Sequence, residues 1–411
     1  MIMITKEKIK NLINECETQL KDLFEKADEI ALKNQRKVLD AFINNRISTH
    51  HFNFSTGYGY GDSAKEALNR LFSDVFHTED AIVSPMIANG THAISLALYG
   101  VLRPNDILLS VCGKPYDTLV EVINGVGCGS LRDFGVKYHQ INYRNGAFNL
   151  DEISKYVKEF KPKAVFLQRS KGYHWQKSIL NRDIKEVADI IKSIHSDCII
   201  ICDNCYGEFV EELEPTDVGA DIIAGSLIKN PGGGCAPTGG YIAGKTKYIE
   251  LIAKRLTTPS LGNEVGSYYS GYLPYFQGFF IAPSVVRNAI KGCLLASKVF
   301  SSLGYESLPA HEELPGDIIC AVKLKSKEQL LDFCRATQKI SPIDSHVTPY
   351  PCLMPGYKND VIMAAGAFIQ GSSIELTADA PIKEPYIAYL QGGLTYEHVK
   401  IALEKLVECL I

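Results

Sequence analysis

The stretch GSLIKNPGGGC, residues 225–235, sets Lys229 among small residues and follows it with three glycines. A solvated lysine on a surface helix needs no such neighbours. The glycines let another group come close to this backbone. The run DIIAG at 221–225 reads as a short buried strand that delivers Ser226 and Lys229 at its end. Upstream, CIIIC at 198–202 delivers Asp203 in the same way. A carboxylate after such an apolar run costs free energy unless a cation or donors meet it, although it could instead cap a following helix. Asp203 and Lys229 are 26 residues apart, one strand–helix–strand excursion, which puts both side chains at neighbouring strand ends.

Other runs of the same kind extend the pattern outward. They are AIVS at 81–84, ILLSV at 107–111, VKYHQI at 136–141, AVFLQ at 164–168 and GYIAG at 240–244. Seven strands with helical stretches between several of them imply an α/β fold with a mostly parallel sheet. The last two lie too close for a helical crossover, so the final strand is expected to be antiparallel. Residues 6–42 carry apolar side chains at three- and four-residue steps, an amphipathic helix or two in series. A glycine- and tyrosine-rich loop, STGYGYGDS at 55–63, precedes a helix over 64–76. A long helical pattern begins after residue 285, and a smaller α/β region has strands expected near 317–323 and 367–377. The division expected is an N-terminal helical arm (1–55), a large domain (56–285) and a small C-terminal α/β domain (286–411).

With 411 residues and a net charge of −4, the chain carries no basic footprint for nucleic acid. No apolar run approaches the roughly 20 residues that span a bilayer, and the opening MIMITKEKIK lacks the features of a signal peptide. The expected location is the cytoplasm. Twelve cysteines in a chain of this length do not make a disulfide scaffold. Cys202 and Cys205 have C-x-x-C spacing, but no second pair or histidine set completes a metal site. GGYIAGKT at 239–246 matches the P-loop pattern, yet its glycines bracket an apolar triplet that itself reads as a strand. The aromatic segment YYSGYLPYFQGFF at 268–280 suits core, subunit interface or substrate wall.

A parallel sheet places its ligands beyond the carboxyl ends of its strands. The first run leads to NGTHAISL, where Gly90 and Thr91 open a helix whose free N–H groups can hold a phosphate. The second leads to CGKPYDTL, where Tyr116 can stack on a flat cofactor. Together with Asp203, Ser226 and Lys229, these residues fit pyridoxal 5′-phosphate. The lysine would form a Schiff base with its aldehyde, the aspartate would pair with its ring nitrogen, and the helix start and serine would hold its phosphate.

The sequence resembles the fold-type I pyridoxal-phosphate enzymes, in particular the cystathionine lyase and methionine γ-lyase group. Within it, the chain is most similar to the bacterial carbon–sulfur lyases linked to aluminium resistance. The phrases that carry the resemblance include STGYGYGD, NGTHAISLALYG, CGKPYDTL, QRSKGYHWQKSI, DNCYGEFVE, SLIKNPGGGCAPTGGYIAGK, FIQGSSIEL and YLQGGLTYEH, spread over residues 55–398. The resemblance implies that Lys229 also shuttles the α-proton. It implies that Gly90, Thr91 and Ser226 contact the phosphate, and that Tyr58 or Tyr60 reaches a neighbouring subunit's phosphate in a homodimer that pairs into a homotetramer. Gln168 and Arg169 fall where the group contacts cofactor or substrate. The sequence departs from the group in three places. Ile228 replaces a threonine, the tyrosine loop lacks an arginine, and Arg335 is the sole arginine after residue 287, leaving Lys383 to stand in for the usual carboxylate clamp.

The implied activity is β- or γ-elimination on a sulfur amino acid such as cystathionine, cysteine or methionine, releasing a thiol, a 2-oxo acid and ammonia. The rival readings are another pyridoxal-phosphate amino-acid enzyme, a non-catalytic cofactor-binding protein, and a P-loop ATPase.

Overall fold

Each of the seven short runs forms a strand, six because they are too short for a helix and too apolar to leave uncovered, while the run at 136–141 gives an edge strand whose residues 137–140 alternate between exposed and half-buried. In the computed structural model, which describes residues 6–143 and 146–411, the opening residues of the signal-peptide and helical-arm expectations (1–5) lie outside the described residues. The chain begins with α1 (Lys6–Gln19), α2 (Lys21–Asn44) and α3 (Ser63–Val75). It continues through β1 (Asp80–Ser84), α4 (Gly90–Val101), β2 (Ile107–Ser110), α5 (Asp117–Asn124), β3 (Lys137–Gln140), α6 (Leu150–Phe160), β4 (Ala164–Gln168) and α7 (Asn181–Ile194). Then come β5 (Ile199–Asp203), β6 (Ile222–Ser226), β7 (Gly240–Gly244), α8 (Thr246–Leu256) and α9 (Leu273–Ser302). The C-terminal part holds β8 (Ser307–Leu308), β9 (Ile319–Lys323), α10 (Lys327–Lys339), β10 (Val361–Ala364), β11 (Thr377–Pro381), β12 (Ile387–Gln391) and α11 (Tyr396–Leu410).

The large sheet has the order β1-β7-β6-β5-β4-β2-β3. Only β7 runs against its neighbours, as the short β6–β7 connection requires. Successive residues of a strand face opposite sides, so two apolar layers form. Ile82, Leu108, Phe166, Ile201 and Ile242 pack under α4, α5 and α8. Val83, Leu109, Val165, Ile200 and Ile223 pack with α3, α6, α7 and α9 on the other side. The second sheet, β10-β11-β12-β9-β8, is antiparallel throughout.

Four sequence expectations need correction. The excursion between Asp203 and Lys229 contains a 3₁₀ turn, Pro215–Val218, and no α-helix, although β5 and β6 are parallel neighbours as the spacing implies. The long helix starts at Leu273, twelve residues before the expected point. Pro283 lies inside it, and Tyr275, Phe276 and Phe279 of the aromatic segment are buried. No strand covers 367–376; β10 and β11 lie on either side. Finally, α9 is long and apolar enough to cross a bilayer, contrary to the reading of its interrupted run, but 67% of its most apolar window is buried inside the protein. It is a core helix that packs on α2, α11 and β9.

Candidate active site

The glycines after Lys229 bring protein against protein. A Cβ at Gly233 or at Gly278 would run into a backbone carbonyl of the facing segment, and one at Gly234 would run into Leu394. The turn Asn230–Gly232 is thereby pinned to α9, and Lys229 leaves the end of β6 on a rigid base. Pro231 is buried and Asn230 fully so, and the Asn230 side chain donates to the Glu208 carbonyl at 3.0 Å.

The Lys229 side chain enters a cavity of about 470 Å³ between the carboxyl ends of the large sheet and one face of the small sheet. Its Nζ lies 3.9 Å from the centre of the Tyr206 ring, a cation–π contact. Tyr206 has φ +70°, a left-handed backbone conformation costly for a bulky residue and held only where the surroundings enforce it. Asp203, the last residue of β5, is 3% exposed and accepts the Cys205 N–H at 3.1 Å. Burial raises its pKa, and Lys229 works in the opposite direction. Burial also works against the charge on Lys229, but the surrounding Cys205, Tyr206, Asp203 and Tyr116 outweigh it and keep the ammonium above the ordinary lysine value.

On the opposite wall Asn89 caps α4 by accepting the His92 N–H at 2.8 Å. The first turn of the helix leaves its leading N–H groups, at Gly90 and Thr91, without helical acceptors. A Cβ at Gly90 would lie 3.1 Å from the Cys205 sulfur and 3.3 Å from the Ser226 Cβ, so a side chain here would press on the neighbours that bring α4 close to β6. The Ser226 hydroxyl is buried with no hydrogen-bond partner among the described residues, although it lines the cavity. An orphaned hydroxyl beside a helix N-terminus fits an anion such as a phosphate. Tyr116 precedes α5; its hydroxyl donates to Thr91 Oγ1 at 3.1 Å, and its N–H donates to Gln168 Oε1 at 3.2 Å. These residues therefore fit a flat, phosphorylated, aldehyde-bearing cofactor.

Of the residues picked out in the sequence, Gly90, Thr91, Tyr116, Gln168, Asp203, Ser226, Lys229 and Lys383 line this one cavity. Arg169 does not. It lies one residue past Gln168, points away from the cavity, and is 0% exposed. Its terminal nitrogens bond to Asn204 Oδ1 (2.9 Å), the Gly207 carbonyl (2.7 Å) and Glu211 Oε2 (2.6 Å), with Glu214 at 3.6 Å. Its proposed contact with cofactor or substrate is therefore corrected to a structural role. Tyr58 and Tyr60 also lie outside the cavity, 68% and 63% exposed with their rings stacked on each other. Arg335 pairs with Asp332 at 3.7 Å on α10 and does not reach it either. Across the would-be P-loop, residues 240–244 are the interior strand β7, which presents no phosphate loop.

Sequence reasoning missed the wall supplied by the small sheet. Val361, Met363, Ala365, Thr377, Asp379, Pro381, Tyr389 and Gln391 line the cavity at every second position of β10, β11 and β12 or just beyond. That alternation, with a single aspartate in the apolar TADAP, was a usable signal. Tyr173, Tyr206, His174 and Tyr357 line it as well.

Comparison with known proteins gives a consistent result. The family model for methionine gamma-lyase matches residues 9–411. An uncharacterised protein of Bacillus subtilis, YnbB, is 46% identical over 409 residues, 98% of this chain and 97% of that one. The crystal structure of a carbon–sulfur lyase involved in aluminium resistance from Clostridium novyi superposes with a TM-score of 0.94 at 47% identity, covering 98% of this chain and 96% of that one. The pyridoxal-5′-phosphate-dependent protein YhfS of Escherichia coli shares the fold, with a TM-score of 0.63 at 14% identity, over 93% of this chain and 96% of that one.

Proposed function

Because this chain belongs to the methionine γ-lyase family, we propose that it is a carbon–sulfur lyase that eliminates a thiol from the β- or γ-carbon of a sulfur amino acid, leaving a 2-oxo acid and ammonia. Its cofactor is pyridoxal 5′-phosphate. The observation that carries the reading is the convergence of Lys229, Asp203, Tyr116 and the orphaned Ser226 hydroxyl on one cavity. When bound, the cofactor supplies an aldehyde that takes up amines and a cationic ring that accepts the electrons of a broken bond at the substrate Cα.

The chain's own groups do the rest. Lys229 would hold the aldehyde, and its Nζ would be the base for the Cα proton. Asp203 holds the ring nitrogen as a cation; a partner charge offsets the cost of burying the carboxylate. Ser226 and the leading N–H groups of α4 hold the phosphate. Tyr116, fixed at both ends by Thr91 and Gln168, covers the ring. Tyr173, Tyr206, Tyr357 and Tyr389 exclude water. The exposed Tyr58–Tyr60 pair supports a homodimer in which this loop reaches the partner's phosphate, with tetramers built from such dimers. The cytoplasm is the location proposed.

The test is direct. The purified protein should carry a visible absorption band that borohydride abolishes. Incubated separately with cystathionine, cysteine and methionine, it should release 2-oxo acid and thiol from at least one. A coloured protein that yields neither from any of the three is not a lyase of this kind, and a colourless one that cannot be loaded has no such cofactor.

A further inference from the structure

Among the described residues, the carboxyls on the cavity lining are Asp117, Asp203 and Asp379. Asp117 is paired with Lys114 at 2.6 Å, and Asp203 serves the cofactor's ring nitrogen. Asp379 is uncommitted. It stands in the middle of β11, half-buried and open to the cavity that Lys229 enters. Gln391 Nε2 donates to its Oδ2 at 3.0 Å, which holds one oxygen in place, and the Tyr173 hydroxyl is its other polar neighbour. Lys229 is the cation whose field reaches it. Tyr206, whose ring centre lies 3.9 Å from the Lys229 Nζ, feels the Asp379 charge in turn. The carboxyl is therefore a close neighbour of the base.

Breaking a carbon–sulfur bond leaves an electron pair on sulfur, and an alkyl thiolate departs slowly unless it takes a proton. In a β-substituted amino acid that sulfur is two bonds from the Cα that Lys229 deprotonates, so its acid must stand near the Lys229 Nζ. Asp379 meets that requirement. Withdrawal from water pushes its pKa up to about 6, so a fraction still carries a proton near neutrality. The other titratable groups nearby are poorer donors. Tyr116 already donates to Thr91 Oγ1 at 3.1 Å, and burial raises Tyr116, Tyr173 and Tyr206 above the usual phenol range. Burial keeps His174 neutral, and Lys383 is exposed.

We propose that Asp379 is a second catalytic residue, the general acid that protonates the departing sulfur, a role that rests on the lyase reading. For a β-substituted substrate the step balances as follows. Lys229 Nζ takes the Cα proton, and the electron pair of that bond becomes the Cα–Cβ double bond. The Cβ–S pair goes to sulfur, the Asp379 carboxyl gives its proton to the same atom, and a neutral thiol leaves. The carboxylate so formed regains a proton from water before the next turnover. Because Gln391 fixes Oδ2, the proton is given from Oδ1.

The experiment compares the wild-type holoenzyme with Asp379→Asn on S-ethylcysteine and β-chloroalanine. The first loses a thiolate, which needs a proton; the second loses chloride, which does not. Initial rates of 2-oxo acid and ethanethiol release are measured, together with exchange of the Cα proton for deuterium in D2O, which reports the Lys229 base alone. The Asn variant should turn over S-ethylcysteine about a hundredfold more slowly. It should keep β-chloroalanine turnover within about threefold, and it should keep the exchange. Equal loss on both substrates, or loss on neither, overturns the proposal: Asp379 then only shapes the cavity, or Lys229 hands on the proton it took. If the variant fails to fold, the wild type decides. Its turnover of S-ethylcysteine should slow by about twofold or more in D2O while that of β-chloroalanine does not, and equal slowing overturns the proposal. A wild-type holoenzyme that consumes β-chloroalanine but releases no thiol from S-ethylcysteine or cystathionine overturns the lyase reading, and the acid with it.

Discussion

Arg169 follows β4 and Lys229 follows β6, a fully buried and a half-buried cation one strand apart at the same edge of the sheet. Arg169 spends both terminal nitrogens on Asn204, Gly207 and Glu211, with Glu214 close behind. Lys229 has the Tyr206 ring and the field of Asp203, and among the described residues no carboxylate within ion-pairing distance is recorded for it. A buried charge stays charged only when something meets it. The arginine is met by the protein, so it holds the fold together. The lysine is left to be met by something else, so it is available for chemistry. Charge type is the same at both sites, with Arg169 fully buried and Lys229 half-buried; the partners of each separate structure from function.

The contrast makes opposite forecasts for the two residues. Lys229→Ala should lower thiol release by about a thousandfold or more, as expected for loss of the base and attachment point, with little change in the urea midpoint. Arg169→Ala should leave Glu211 and Glu214 without their cation and lower stability by about 3–5 kcal/mol in urea unfolding. The fraction that remains folded should keep most of its turnover. An Arg169 variant with full stability and no turnover would reverse the assignment made here. A smaller effect sharpens the same contrast at an unpartnered hydroxyl. Ser226→Ala removes one donor to the phosphate and should weaken cofactor binding about tenfold, measured by titration of the stripped protein, without moving its melting temperature.

The large sheet was legible because most of its strands are short apolar runs, and the parallel arrangement sends the polar residues at their ends to one edge. Asp203 and Lys229 announced themselves in that way. Arg169 misled because adjacent residues point to opposite sides, so Gln168 reaches the cavity and its neighbour does not. The small-sheet wall was hidden for another reason. Its strands are antiparallel and mixed in polarity, and Asp379, Tyr389 and Gln391 meet the lysine only through folding contacts that no local spacing records. Tyr206 could have been noticed from its place beside Asp203, but its left-handed backbone has no sequence signature of the kind a glycine gives.

Glu208 offers the finest test, because it is a buried acid that the protein leaves only half satisfied. Its Oε1 accepts the Tyr241 hydroxyl at 2.9 Å, whereas Oε2 is buried without a partner among the described residues. Burial pushes its pKa up to about 8, with Lys229 among the weaker influences acting the other way. The folded state therefore holds this proton more tightly than the unfolded chain does. By linkage, the stabilisation is complete below the ordinary glutamate range and is lost as pH rises from there to about 8. Glu208→Gln keeps the shape and an acceptor for Tyr241 but cannot ionise. Its melting temperature should lose less than the wild type's between pH 5 and 8, by on the order of 2–4 °C. Identical pH dependence in the two proteins would mean that Glu208 is ionised in the fold. It would then have a cationic partner, and Lys229, the cation that influences it, would no longer stand apart from Arg169.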